Sequence, residues 1–196
     1  MPRSESEFRE KALEEGVPII QETGLSFLLG LIHRYEIKEI LELGTAVAYS
    51  SIQMALSSEE VTIDTVEKED DMVREALRNI EEAGLSDRIR VHHCPAEEFV
   101  TEKTYDLIFV DAAKAQYAHY LERFLPNLKE DGFMVFDNML FHGMVYDADH
   151  LKNRGTRSMV KKIIKFREEV QKDERFAIMI DDSIGDGILV LKRRAS

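Results

Sequence analysis

The hydrophobic positions along the chain follow two alternating patterns, one typical of strands and the other of helices. Short apolar runs of strand length occur at residues 39–44, 61–67, 88–93, 105–111 and 133–137. Helical periodicity lies between them, in a segment through Leu56, at 70–83, and at 115–128 with an interruption near Pro126. Alternation of this kind predicts a parallel sheet with helices on both faces.

The pattern changes at both ends of this alternating part. Two helices are predicted ahead of it, at 6–15 and 24–35, and a long helix after it, from about residue 155 to 172. Two final strands, at 176–180 and 187–192, are joined by a short, turn-rich segment that suits an antiparallel hairpin. We therefore predict an α/β fold with a seven-stranded, mostly parallel sheet and an antiparallel C-terminal hairpin, in a single domain over residues 1–196.

Composition narrows the class of protein. The 196 residues are 44% hydrophobic and 33% charged, which is typical of a soluble globular chain. No apolar stretch approaches the roughly 20 residues of a membrane span. The polar, acidic start resembles neither a secretory signal nor a transit peptide. The one cysteine, Cys94, excludes an internal disulfide and suits a reducing compartment, so we expect a cytoplasmic protein.

Charge is distributed unevenly. A net charge of −12 argues against polyanion binding by the whole surface, because its field repels phosphates. Between Leu151 and Lys172, however, only two glutamates accompany eight basic residues: Lys152, Arg154, Arg157, Lys161, Lys162, Lys165, Arg167 and Lys172. This segment is either the solvated face of an amphipathic helix or a local patch that binds RNA.

Oxygen-bearing side chains follow two of the predicted strands. Asp111 ends one apolar run, Asp137 and Asn138 end another, and Lys114 lies three residues after Asp111. If the two strands are parallel neighbours, these side chains share one edge of the sheet. Carboxylate and amide oxygens are ligands for a hard divalent cation such as Mg²⁺, so a metal site is predicted there.

The turn after the first strand indicates a different ligand. It contains Gly44 but neither the GxGxxG fingerprint nor a P-loop, so a nucleotide-phosphate site is disfavoured. Glu67 ends the second strand, where an acid can accept hydrogen bonds from ribose hydroxyls. A ribose site without a diphosphate site suggests S-adenosylmethionine rather than a dinucleotide. Glu67 as a solvated strand end is the alternative interpretation.

Taken together, these motifs resemble a known family. The sequences Glu42-Leu-Gly-Thr-Ala-Val-Ala-Tyr-Ser50, Val66-Glu67, Asp111-Ala-Ala-Lys114 and Asp137-Asn138 are similar to those of metal-dependent class I O-methyltransferases of the catechol and caffeoyl-CoA type. The resemblance covers nearly the whole chain and implies a Rossmann-like core over 37–196 after a helical segment over 1–36. Ala48 departs from the family's glycine, and a methyl group there is tolerated if φ is negative.

The resemblance also implies roles for individual residues and a homodimeric assembly. Asp111, Asp137 and Asn138 would bind Mg²⁺, and Lys114 would be the catalytic base. The S-adenosylmethionine site would comprise Ile20, Glu42, Gly44, Tyr49, Ser50, Glu67, Ala96, Glu97 and Asp111. His142 lies just beyond the metal ligands, and the loop with Asp181, Asp182 and Asp186 could border the site.

The implied reaction transfers a methyl group from a sulfonium to an oxyanion. A cation bound by two vicinal substrate oxygens lowers the hydroxyl pKa, and Lys114 takes the proton. The segment 137–143 and the terminal Gly185-Asp-Gly187 most resemble tRNA 5-hydroxyuridine methyltransferases. We therefore expect methylation of the wobble nucleoside to 5-methoxyuridine, with Arg154, Arg157, Lys161 and Lys162 meeting tRNA phosphates. A small catechol or caffeoyl-CoA-type acceptor and a non-catalytic binding module are the alternatives.

Overall fold

The computed structural model describes residues 5–14 and 16–194, with side chains described from Phe8 onward. The chain forms two compact units, Met1–Glu102 and Lys103–Ser196. Among the described residues, none of the helices is both long enough and apolar enough to span a membrane.

The first unit contains a parallel three-stranded part of the sheet. Its strands are β1 (Glu39–Leu43), β2 (Thr62–Glu67) and β3 (Ile89–His93), and its helices are α1 (Glu5–Glu14), α2 (Glu22–Tyr35), α3 (Tyr49–Leu56) and α4 (Asp70–Glu82). β2 pairs with β1 on one side and with β3 on the other. The successive residues Ile40 and Leu41 are both fully buried, as expected where helices cover both faces of a parallel sheet.

The second unit contains four strands, in the order β4-β5-β7-β6. They are β4 (Tyr105–Val110), β5 (Leu128–Phe136), β6 (Phe176–Asp181) and β7 (Ile188–Arg193), with helices α5 (Tyr117–Phe124) and α6 (Arg154–Val170). β4 and β5 are parallel, whereas β7 runs antiparallel to both β5 and β6. The start of β7 lies beside the end of β5, where Leu189 pairs with Phe136.

Over the described residues the predicted fold class is confirmed: seven strands, mostly parallel, with an antiparallel C-terminal pair. The helix predicted at 115–128 is instead the short helix α5 between two 3-10 turns, Lys114–Gln116 and Leu125–Asn127. Pro126 lies in the second turn, where its fixed φ and missing N–H are incompatible with a continuing helix.

β5 begins five residues before the predicted strand. Leu128 pairs with Tyr105, and the next registered pair is Leu107 with Phe133, so residues 129–132 form a bulge. The bulge closes at Gly132, where a Cβ would lie 2.9 Å from the Lys129 carbonyl oxygen. Because the bulged residues are mainly polar, this part of the strand lacks an apolar pattern.

Candidate active site

In the first unit, three parallel strands bring their carboxyl ends to one edge. The main-chain N–H groups of Gly44 and Thr45 donate to the Val66 carbonyl, at 3.0 and 3.2 Å, and the Cys94 N–H donates to the Glu67 carbonyl at 3.0 Å. Gly44 has a φ of 100°, which requires glycine. The half-buried turn with Ala96 and Glu97 follows β3 at the same edge.

Glu42 is fully buried at the end of β1 and is held by hydroxyl groups. Its carboxylate accepts hydrogen bonds from Ser50 at 2.5 Å, from Thr65 at 2.6 Å, and from Ser51. The Thr65 hydroxyl also lies 2.7 Å from that of Thr45. Sequence reasoning predicted Glu42 and Ser50 in the cofactor site but missed Ser51 and Thr65. The run of hydroxyl residues around the turn was a signal for Ser51, whereas Thr65 lies on β2.

Glu67 closes this edge as a carboxylate fixed by the backbone. Oε2 accepts from the N–H of Ala46 at 2.9 Å, and Oε1 accepts from Lys68 and Glu69 at 2.8 and 3.1 Å. A carboxylate has about four acceptor positions, so three bonds orient this side chain and leave capacity on Oε2. The arrangement suits an acceptor for ribose hydroxyls.

Ala48 adopts the left-handed conformation, with a φ of 66°, so the condition of a negative φ is not met. Its side chain is fully buried at the start of α3. The preceding Val47 carbonyl accepts a hydrogen bond of 2.9 Å from the buried Asn79 side chain of α4. The turn is therefore held in a conformation that L-residues disfavour by about 1 kcal/mol or more. Tyr49 and Ile20, two other predicted cofactor residues, are both buried.

The second unit carries the predicted metal ligands. Asp111 and Asp137 directly follow the neighbouring strands β4 and β5, and the Asp137 N–H lies 3.3 Å from the Val110 carbonyl. Lys114 begins a 3-10 turn, and its Nζ donates to Asp111 Oδ1 at 3.2 Å. The structure thus brings together the two acids and the amine that sequence reasoning proposed.

The two acids lie in an environment that disfavours their negative charge. Burial raises the pKa of Asp111, which the neighbouring Lys114 lowers in part. Burial, and then the charge of Asp111, raises the pKa of Asp137 to about 7. A cation bound between them would favour both ionised forms, so the side chains fit a divalent metal. Among the described residues, no three His, Cys, Asp or Glu side chains are grouped so that they could hold a metal. The predicted site instead has two carboxylates, and its third predicted ligand is the amide of Asn138.

The segment after Asp137 has an unusual backbone. Asn138, Phe141 and His142 all have positive φ values, of 58°, 46° and 55°. Asp186 supports this segment through its carboxylate, which accepts the His142 N–H at 2.8 and 2.9 Å, and through its carbonyl, which accepts from Leu140. The turn between β6 and β7 therefore packs against the segment that follows Asp137, and Asp186 acts as a structural acceptor.

Arg167 of α6 supports the same segment from another side. Its guanidinium donates to the Met139 carbonyl at 3.0 Å and to both oxygens of Asp182 at 2.9 Å. Tyr146 also donates to Asp182, at 2.8 Å. Arg167 therefore has a structural partner, although the sequence grouped it with the basic patch.

Five other residues of the basic segment, with Ser158, form one surface on α6. An open groove of about 520 Å³ is lined by Arg154, Arg157, Ser158, Lys161, Lys162 and Lys165. These positions recur every three or four residues, so they lie on one helix face. Lys161 also pairs with Asp149 at 2.7 Å. We call this surface the α6 basic face.

The mostly parallel sheet, with a glycine turn after β1, is the architecture of Rossmann-like methyltransferases. Comparisons with known proteins give the family. The family model described as O-methyltransferase matches residues 7–194. The chain belongs to this O-methyltransferase family.

Individual relatives agree with this assignment. A caffeoyl-CoA O-methyltransferase of Populus kitakamiensis is 30% identical over 90% of this chain and 77% of its own length. A solved structure from Staphylococcus aureus, provisionally named a caffeoyl-CoA O-methyltransferase, is 34% identical, with a TM-score of 0.92 over 97% of this chain and 92% of its own. A Bacillus cereus O-methyltransferase in complex with SAH is 25% identical, with a TM-score of 0.80 over 98% of this chain and 93% of its own.

The family establishes the enzyme class and one cofactor. The chain is an S-adenosylmethionine-dependent O-methyltransferase, as the motifs predicted. The hypothesis of a non-catalytic module is therefore set aside.

Proposed function

We propose that this methyltransferase depends on Mg²⁺ and methylates a hydroxyl that has a second oxygen on the adjacent carbon. The observation that carries this proposal is the pair of neighbouring carboxylates, half-buried Asp111 and buried Asp137, whose ionisation is disfavoured without a cation. When bound there, Mg²⁺ would act as a Lewis acid that lowers the pKa of the acceptor hydroxyl. Asn138 would supply the third ligand.

The chain's own side chains divide the remaining tasks. Lys114 Nζ, held 3.2 Å from Asp111, would receive the hydroxyl proton when it is in its neutral amine form. Glu67 would orient the ribose of the cofactor, and Glu42 with Ser50 would form the methionine end of its site. Orientation matters because the displacement requires oxygen, methyl carbon and sulfur in line.

For the acceptor, we propose 5-hydroxyuridine at the tRNA wobble position. Its 5-hydroxyl and 4-carbonyl oxygens are adjacent, like the two oxygens of a catechol. Support comes from the α6 basic face, whose exposed Lys161 and Lys162 suit RNA phosphates. This helix also donates to the segment after Asn138 through Arg167.

The second candidate acceptor is a small catechol of the caffeoyl-CoA type. The names of the relatives favour it, because the Populus protein and the staphylococcal structure both carry that description. Asp111, Asp137 and Lys114 would serve either acceptor in the same way, so the substrate must be identified by turnover.

Nucleoside mass spectrometry tests the two acceptors directly. tRNA lacking the modification is incubated with enzyme, S-adenosylmethionine and Mg²⁺, beside a parallel reaction with a catechol. The tRNA proposal expects 5-methoxyuridine that disappears in Asp137→Ala and Lys114→Ala. Turnover of the catechol without turnover of the tRNA would contradict the tRNA proposal and favour the small catechol as the acceptor. Activity that survives complete chelation of divalent ions would contradict the metal requirement.

The α6 basic face needs its own variants. Arg157→Ala with Lys161→Ala should weaken tRNA binding and reduce its salt dependence, because fewer counterions are released. Arg74→Ala with Arg78→Ala, on exposed positions of α4, is the matched control. Equal tRNA methylation by both double variants would remove this surface from the proposal.

The homodimer and the cytoplasmic location stay predictions, the first open to sedimentation analysis.

A further inference from the structure

Tyr117, at the start of α5, has its hydroxyl bonded to the main chain of a proposed metal ligand. The side chain is 1% exposed, and its hydroxyl donates to the Asp137 carbonyl oxygen at 2.8 Å. That carbonyl belongs to the peptide joining Asp137 to Asn138. The bond therefore acts on the link between two residues that would bind the same ion.

The other side of this peptide is held as well. The Asn138 N–H donates to Oδ1 of Asp137 at 2.7 Å. With both polar groups of the peptide bonded, its plane has little freedom to rotate. Asn138 then follows in the left-handed region, with a φ of 58°, so the orientation of this peptide determines where its side chain starts.

Aromatic packing fixes the ring of Tyr117. Its centroid lies 5.3 Å from that of Phe136 and 6.0 Å from that of Phe166, and the two phenylalanines are 4.9 Å apart. All three side chains are buried. Burial, together with the charges of Asp111 and Asp137, raises the pKa of Tyr117 well above its usual value, so the hydroxyl remains a donor.

From this geometry we infer that Tyr117 is a positioning residue, which sets the direction of the Asp137 and Asn138 ligands by clamping the peptide between them. The inference rests on the proposed metal site. Tyr117 need not touch the ion or the acceptor, since it acts through the backbone. Groups that orient metal ligands typically change metal affinity on the order of 10- to 100-fold when removed.

The test removes one oxygen atom. Tyr117→Phe keeps the packed ring and deletes the hydroxyl. Tyr105→Phe is the matched control, since Tyr105 is also almost fully buried but starts β4, at the end of the strand away from Asp111. Binding of Mn²⁺, which accepts similar oxygen ligands, is measured by the loss of its free electron paramagnetic resonance signal. S-adenosylhomocysteine affinity is measured by calorimetry as a check on the cofactor site.

We expect Tyr117→Phe to bind Mn²⁺ roughly 10-fold more weakly or worse, with unchanged S-adenosylhomocysteine affinity. Turnover should recover at high Mn²⁺, and Tyr105→Phe should match the wild type. Equal Mn²⁺ binding by Tyr117→Phe and wild type would overturn the inference, as would a parallel loss of both ligands. If Asp137→Asn binds Mn²⁺ as the wild type does, the proposed metal site fails, and the inference with it.

Discussion

Asp137 is a buried carboxylate beside the half-buried Asp111, and the negative charge of Asp111 raises the pKa of Asp137. Burial contributes the larger part of that increase, which brings the pKa to about 7. In the absence of a cation, Asp137 is therefore partly protonated near neutral pH. Protons and metal ions must then compete for the same oxygens.

This competition predicts a pH-dependent metal affinity. Below about pH 7 the proton occupies Asp137, and above it the carboxylate is free to bind. The apparent Mn²⁺ dissociation constant should therefore decrease about ten-fold between pH 6 and pH 8, and then level off. Titrations at four pH values would measure it. A constant affinity over that range would show that Asp137 is not a ligand or that its pKa is not raised.

The left-handed backbone of Ala48 predicts a stabilising substitution. Ala48→Gly should raise the free energy of unfolding by roughly 0.5–1 kcal/mol, because glycine adopts this conformation without the Cβ penalty. Thermal unfolding should move upward by about 2 °C. Ala55→Gly, a buried position within α3, is the control with the opposite sign. Because the Ala48 methyl group is itself buried, the contradictory result is a melting temperature lowered as far as in Ala55→Gly.

Glu67 allows the cofactor site to be tested apart from the metal site. In Glu67→Gln, an NH₂ group replaces one of the two carboxylate oxygens that now accept hydrogen bonds from main-chain N–H groups. A donor would then face a donor. We expect S-adenosylhomocysteine to bind about ten-fold more weakly, since one charge-assisted acceptor is lost, while Mn²⁺ affinity is unchanged. The neighbouring Glu69→Gln, at an exposed position, should behave as the wild type. The assignment is wrong if both variants bind the cofactor product equally.

Asp186 should affect the acceptor more than the cofactor. Asp186→Ala removes the carboxylate that holds the His142 N–H, so the strained segment after Asn138 should become more mobile. The KM for the acceptor should rise several-fold, with unchanged S-adenosylhomocysteine affinity. Asp181→Ala, at the end of β6, is the control, because its carboxylate accepts from Ser183 rather than from the segment after Asn138. An unaltered acceptor KM in Asp186→Ala would mean that the segment keeps its shape without this support.

How far the sequence predicts this molecule depends on how local each feature is. The positions of Asp111 and Asp137 can be predicted from the sequence because each residue directly follows an apolar run. The strand pattern alone therefore places both at one edge of the sheet. Tyr117 and Asp186 were not singled out as supports, since they lie 20 and 44 residues from their partners in the chain. Their roles arise only when α5 and the last turn pack beside β5.

Backbone details were equally inaccessible. Alanine gives no sign of a positive φ, so the conformation of Ala48 emerged only from the fold of the turn. The start of β5 was missed because its bulge at 129–132 is polar. The composition of α6 left two interpretations of its basic residues, and the structure separates Arg167, which is bonded to Asp182, from the face that lines the groove.

The antiparallel direction of β7 has a consequence for how acceptor preference can diverge among such enzymes. Because Leu189, near the start of β7, pairs with Phe136 at the end of β5, the turn at 182–187 lies at the edge where Asp137 follows β5. The strand register is set outside this turn, by Asp181 paired with Ile188 and Leu189 paired with Phe136. Insertions and deletions in this turn therefore offer a route by which a lineage could acquire a new substrate while keeping the same catalytic residues.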